Sequence, residues 1–273
     1  MEYNACYANN EVGDEMKQKR TAWIYRILRK IVYTVYPKVD SEGVENLPDE
    51  PAIVVGNHSQ LHGPIISELH FPAKNYTWCA GPMMKLKEVP AYAFEDFWSF
   101  KPWYSRWLYR IVSYLIAPLA VVIFNNAHTI AVHRDARLFS TFKQTVQRLQ
   151  EGNHVVIFPE HNQKYNHIVY DFEDRFIDIA KLYHKKTGKE LQFVPLYIAP
   201  NLKQMHFGEP IRFCADRPIE EERQRIREYL MTVITDIACA LPEHTVIPYR
   251  NIPKREYPCN RAREERNDAE AGR

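Results

Sequence analysis

Three times along this chain a short apolar run of strand length stops at a residue able to do chemistry. Ala52 to Val55 runs into Gly56-Asn57-His58, Thr129 to Val132 into His133-Arg134, and His154 to Phe158 into Pro159-Glu160. A fourth run, Phe193 to Ile198, carries an internal proline, Pro195, which calls for a sheet edge or an irregularity because proline has no N–H to give to a ladder. Between these runs lie stretches of helical period: Leu138, Phe139, Phe142, Val146 and Leu149, ended by Gly152; and Phe172, Phe176, Ile179, Ala180 and Tyr183, ended by Gly188. A last helix is expected from about Asp216, with Pro218 and three glutamates in its first turn. Alternating strands and helices predict an α/β fold, a single domain with a mixed, mostly parallel central sheet flanked by helices. In such folds ligands bind beyond the carboxyl ends of the strands, where His58, Arg134 and Glu160 fall.

The domain is expected over residues 39–247. Residues 1–15 show no periodicity and read as a leader. Residues 16–38 read as a basic amphipathic helix: from Met16 to Val39 there are seven Lys or Arg and no acid. Trp23, Ile24, Ile27, Leu28, Ile31, Val32 and Val35 fill one half of that helix, with Arg26, Arg29 and Lys30 on the other, a pattern suited to an anionic membrane surface. Residues 83–110 mix Trp, Tyr and Phe with Lys and Arg, which suits a membrane interface as well as a core or a lid. Ile111 to Ala117 reads as helix up to Pro118, and Leu119 to Phe124 as a buried strand. The apolar run from Ile111 to Phe124 is then too short for a membrane span, which needs roughly 20 residues. After Pro248 the chain turns polar and charge-mixed, and 248–273 is expected to be a mobile polar tail.

The formal net charge of +2 gives no reason to expect nucleic acid as a partner. The five cysteines are scattered, with no C-x-x-C pair, which speaks for reduced thiols. There is no basic-then-apolar leader of the secretory kind, and no G-x-G-x-x-G or P-loop that would indicate a nucleotide cofactor; no cofactor is expected. These features predict a cytoplasmic protein, peripheral on the inner face of the membrane.

Taken in order, the segments Asn57-His58, Arg134, Phe158-Pro159-Glu160, Val194 to Ile198 and Gly208-Glu209-Pro210-Ile211 resemble the phospholipid and glycerol acyltransferase family, the lysophosphatidate acyltransferase group. The resemblance runs from about Val39 to Ile211. It departs from the family at three places, one of them Asn162-Gln163-Lys164, which stands where the family usually has Thr-Arg-Ser. The family places an Asp five residues after its catalytic His, where this chain has Gly63, and a Gly after Phe-Pro-Glu, where this chain has His161.

The resemblance implies acyl transfer from acyl-CoA or acyl-carrier protein to a hydroxyl of a lysophospholipid or glycerol-phosphate acceptor at a membrane surface. An alcohol is a poor nucleophile until a base takes its proton, and that role falls to His58. Glu160 is the second catalytic candidate and the nearest carboxylate that could replace the family Asp, with His62 as an auxiliary. Asn57, Arg134, Phe158, Pro159, His161 and Lys164 are expected at the substrate, Arg134 and Lys164 as phosphate ligands. Gly63 and His161 also admit a family member that binds lipid without turnover. A metal site is a further alternative, because His58 and His62 are spaced i, i+4 and His161, His167 and Glu160 could complete it. A carboxylate at the His58 ring would favour turnover, and purely apolar surroundings would favour silent binding.

Overall fold

The computed structural model describes residues 21–133, 135 and 137–261. The leader 1–15, the start of the basic helix, Arg134 and the last twelve residues lie outside them. Among the described residues the strands are β1 (Asp40–Glu42), β2 (Ile53–Gly56), β3 (Asn75–Ala80), β4 (Thr129–Val132), β5 (His154–Ile157), β6 (Glu160–Tyr165), β7 (Tyr170–Phe172), β8 (Gln192–Ala199), β9 (Gln204–Phe207) and β10 (Ile211–Arg212). Residues 21–35 are helical (α1). The other helices are α2 (His62–His70), α3 (Val89–Trp98), α4 (Arg106–Asn126), α5 (Leu138–Gln150), α6 (Asp178–Thr187) and α7 (Ile219–Ala240).

The main sheet runs in the order β1-β9-β8-β2-β5-β3-β4, with β10 also on β8. The pairs β2–β5, β2–β8, β3–β5 and β1–β9 are parallel, and β8–β9 and β8–β10 are antiparallel. This is the mixed, mostly parallel sheet expected. Its centre is buried on both faces: Ile53, Val54, Val55, Val155, Val156, Ile157, Val194 and Leu196 are all shielded. That is why these strands read as unbroken apolar runs rather than alternating ones.

By contact the described residues divide into two compact units, one of residues 38–78 with those from 132 to 261, the other of residues 21–37 with 79–131. In the smaller unit α3 and α4 pack on each other through Val89, Ala93, Ala117 and Ala120, with Trp98 stacked on Tyr109 at 5.7 Å. Here the sequence reading is corrected. Leu119 to Phe124 is not a strand, because α4 passes straight through Pro118. Leu-Ala-Val-Val-Ile-Phe is a short apolar run, and periodicity alone cannot tell a strand from a helix segment there. The proline removes one helical bond, and packing of Ala117 and Ala120 on α3 sustains the rest. Residues 103–126 thereby become long and apolar enough to cross a membrane, by length and composition, where the broken run was judged too short.

In the larger unit Pro195 meets the irregularity it requires. β8 pairs β9 at Leu196↔Phe207 and β10 at Phe193↔Ile211, so Val194 and Pro195 face the three residues Gly208, Glu209 and Pro210. The bulge absorbs the missing donor. A Cβ on Gly208 would lie 2.6 Å from Val233 of α7 and 3.1 Å from the Pro195 ring, so the bulge is glycine-dependent. The helix expected from Asp171 begins only at Asp178. Residues 160–172 form a separate hairpin of β6 and β7. Its turn is fixed by the Asn166 side chain, which accepts from the N–H groups of Ile168 and Val169, with His167 left-handed at φ 74°.

The expected polar tail is folded over residues 248–261. Val246 donates to the Pro258 carbonyl at 2.8 Å, and Thr245 bridges Cys259. Asn260, 1% exposed, bonds with its side chain to the His244 N–H and the Ala238 carbonyl. The segment between them is thereby drawn back onto the larger unit.

Candidate active site

Sheet register alone brings the first and third sequence motifs, those of His58 and Glu160, together. β2 and β5 pair in parallel at Val55↔Ile157, so three residues further on His58 stands beside Glu160, at the carboxyl ends of both strands. The contact is direct. Glu160 accepts from the backbone N–H of His58 at 2.6 Å with one oxygen and from that of Tyr170 at 2.8 Å with the other. Its carboxyl group is therefore spent on the backbone of the His58 loop and not on the imidazole. Burial pushes Glu160 up to about 7, against the two N–H donors, which lower it.

Asn57 is also a loop-holding residue. Its amide accepts from Ile198 N–H at 2.7 Å and donates to the Ile198 carbonyl at 3.0 Å and to the Ser59 hydroxyl at 2.7 Å. At 2% exposure these polar atoms serve the end of β8 rather than a substrate. Beyond His58 two non-glycine residues in succession, Ser59 and Gln60, are left-handed at φ 46° and 55°. Such conformations cost on the order of 1–3 kcal/mol each and persist only when the surroundings fix them. Gln60 is fixed from the C-terminal segment: its amide donates to the Tyr257 hydroxyl at 2.8 Å and to the Arg250 carbonyl at 3.4 Å.

The imidazole of His58 sits among aromatic rings. Phe158 meets it at 5.4 Å and 64°, and Tyr249 at 5.3 Å and 68°. Its Nδ1 is buried without a partner among the described residues. Burial lowers its pKa to about 4, partly offset by backbone groups of Gln60 and of His58 itself. The ring is neutral at pH 7 and able to accept a proton, with a weaker driving force than an ordinary imidazole.

Gly63, at the position of the family carboxylate, has no room for one. Its N–H donates to the His58 carbonyl at 3.1 Å, and a Cβ there would fall 2.5 Å from that carbonyl oxygen and 3.0 Å from the Phe158 ring. The loop has closed over the space a side chain would need.

The remaining sequence candidates are placed as follows. Pro159 is buried, its carbonyl accepting from the Glu173 N–H at 2.9 Å. His161 turns into its own hairpin, accepting from the Gln163 N–H at 3.2 Å and lying 3.8 Å from Asp171. Lys164 is exposed further along β6. His62 opens α2 and is half-buried, its pKa lowered by burial and by Lys254. Arg134 lies outside the described residues. Among those residues no three His, Cys, Asp or Glu side chains group so as to hold a metal ion, and the histidines at 161 and 167 belong to the hairpin. Sequence reasoning missed Gln60, Tyr170, Tyr249 and Tyr257. The available signal was two tyrosines in a segment otherwise rich in charge, which sits poorly with a solvated tail.

No family model matches this chain, and no curated protein matches it. Among solved structures it is similar to one described as the 1-acyl-sn-glycerophosphate (LPA) acyltransferase PlsC from Thermotoga maritima. The two are 18% identical, with 84% of each chain covered and a TM-score of 0.47. A likeness at that level says nothing about activity.

Proposed function

We propose that this chain is an acyltransferase-type protein. It transfers an acyl group from acyl-CoA or acyl-carrier protein to a hydroxyl of a lysophospholipid or glycerol-phosphate acceptor, on the cytoplasmic face of a membrane. His58 takes the hydroxyl proton as the oxygen attacks the thioester carbonyl. The observation that carries this reading is the pinned loop: a neutral imidazole held at the mouth of β2 by Glu160 and Asn57, the residues of the family-like motifs. An anionic acceptor arriving beside the ring would raise its pKa and strengthen it as a base. Membrane attachment is supported by exposed apolar side chains, Trp23, Ile31 and Val35 on α1 and Trp107, Tyr114 and Leu115 on α4.

The second reading, a lipid-binding protein without turnover, has its own observation: among the described residues no carboxylate bonds Nδ1 of the imidazole, and Gly63 leaves no space for one. Incubating the protein with labelled acyl donor and a panel of lysolipids in vesicles separates the two. The first reading expects diacyl product that depends on acceptor. Saturable lipid binding with no product, beside a working control enzyme, would establish the second instead.

A further inference from the structure

We propose that Tyr249 and Tyr257, on the segment that follows α7, are positioning residues for His58 and supply the orientation that the resembled family draws from a carboxylate. The proposal rests on the acyl-transfer reading of this site, and the two can fail separately.

Among the described residues no charged side chain bonds Nδ1 of the imidazole. The Glu160 oxygens are committed to two backbone N–H groups, Gly63 cannot carry a side chain on this backbone, and Nδ1 has no partner among the described residues. What meets the ring is aromatic. Contacts near a right angle at 5.3 and 5.4 Å are favourable aromatic geometry. Such edge-on contacts favour one ring orientation over others. Phe158 comes from the end of β5, within the motif; Tyr249 comes from nearly two hundred residues away in sequence.

The loop that carries the ring needs a second restraint, because Ser59 and Gln60 are both left-handed. Asn57 and Glu160 hold the loop on its β8 and β6 sides. On the far side Gln60 holds the loop, its amide taken by the Tyr257 hydroxyl and the Arg250 carbonyl. The segment is itself fixed at its base by the Thr245–Cys259 bridge and by Asn260. Tyr249 also meets Tyr170 at 6.3 Å, whose N–H holds Glu160 and whose ring stacks on Tyr165 at 4.4 Å. Tyr249 on the ring and Tyr257 on the loop thus belong to one strap, residues 249–257. The titratable and charged groups around this arrangement are Glu160 of β6, Tyr170 of β7, His62 of α2, and Tyr249, Arg250 and Lys254 of the strap.

The test is the titration of the His58 ring, followed by NMR in the full-length chain with labelled histidine and assigned with a His58→Gln variant. Tyr249→Ala should admit water to the ring and raise its midpoint by about one unit or more, whereas Tyr249→Phe should keep it in place. Tyr257→Phe and Gln60→Ala should raise it as well, and the double variant should go no further than Gln60→Ala alone, because that change already removes the bond to Tyr257. Arg255→Ala, on the same strap with its side chain in solvent, should change nothing. Where turnover is measured, kcat should fall on the order of 10-fold in Tyr249→Ala and Tyr257→Phe with KM little altered. An unchanged His58 titration in both variants overturns the proposal. Should Tyr249→Ala fail to fold, Tyr257→Phe, which loses a single oxygen, decides alone. A chain with no turnover at all defeats the acyl-transfer reading and leaves the titration test intact.

Discussion

At the scale of single residues, the most informative position is Gly63. From sequence alone, an aspartate there should raise activity if Gly63 is a lesion and lower it if the site is rebuilt around another partner. With a Cβ forced to 2.5 Å from the His58 carbonyl, Gly63→Asp should break the loop, lowering the unfolding midpoint and abolishing any activity. A Gly63→Asp protein with unchanged melting and higher turnover would show that the loop adapts. The two buried ionisable groups make opposite contributions to stability. The His58 pKa is lowered from 6.5 to about 4, so its contribution is present above 6.5 and lost as pH falls toward 4. That of Glu160 is raised from 4.5 to about 7, so its contribution is present below 4.5 and lost as pH rises through 7. Glu160's loss is on the order of 3 kcal/mol. The slopes oppose each other over the shared window. In Glu160→Gln the His58 slope is exposed, and urea unfolding between pH 4 and 6.5 should show stability rising with pH more steeply than in the parent chain. Because glutamine cannot accept both N–H groups, the variant should also be less stable at pH 5 by about 1–3 kcal/mol. The pairing of His58 with Glu160 was legible in sequence, since both follow apolar runs that pair in parallel. That Glu160 grips the backbone and not the ring was not, because either geometry satisfies the same three letters, Phe-Pro-Glu.

At the scale of elements, the sequence was most transparent where an element is buried on both faces, as in β2, β5 and β8, and where a glycine ends a helix, as Gly188 does for α6 with φ 71°. It was least transparent where a local rule met a stronger tertiary effect. Pro118 ended the predicted helix but not the observed one, and β-branched residues after it imitated a strand. The hairpin of β6 and β7 was hidden because its polar outer strand carries no apolar period. α4 yields a direct prediction. Its exposed Trp107 and Leu115 are 64% and 73% accessible, so Trp107→Glu with Leu115→Glu should leave melting almost unchanged. The same pair should sharply weaken sedimentation with anionic lipid vesicles. Equal sedimentation of variant and parent would remove α4 from the membrane-contacting surface.

At the scale of the whole molecule, the central question is what holds the His58 loop and ring in place. The answer offered by this chain is long-range: residues at 57–63, 158–170, 196–198 and 249–257 meet at one loop, and the last group is secured through Asn260. Asn260→Ala should therefore both destabilise the fold, by about 2 kcal/mol for buried partners left unpaired, and loosen the His58 ring, which hydrogen exchange at Ser59 and Gln60 would report. Closure of the chain on itself could not be read from sequence, because isolated tyrosines in a charged stretch announce burial without saying against what. The claim on which all else depends is that the imidazole at position 58 receives the acceptor's proton. The most direct test is the rate of acceptor-dependent acyl transfer by His58→Gln, measured beside the parent protein on the same vesicles. The account predicts a loss on the order of 10²–10⁴-fold with lipid binding retained. Turnover by His58→Gln at the parent rate would contradict it.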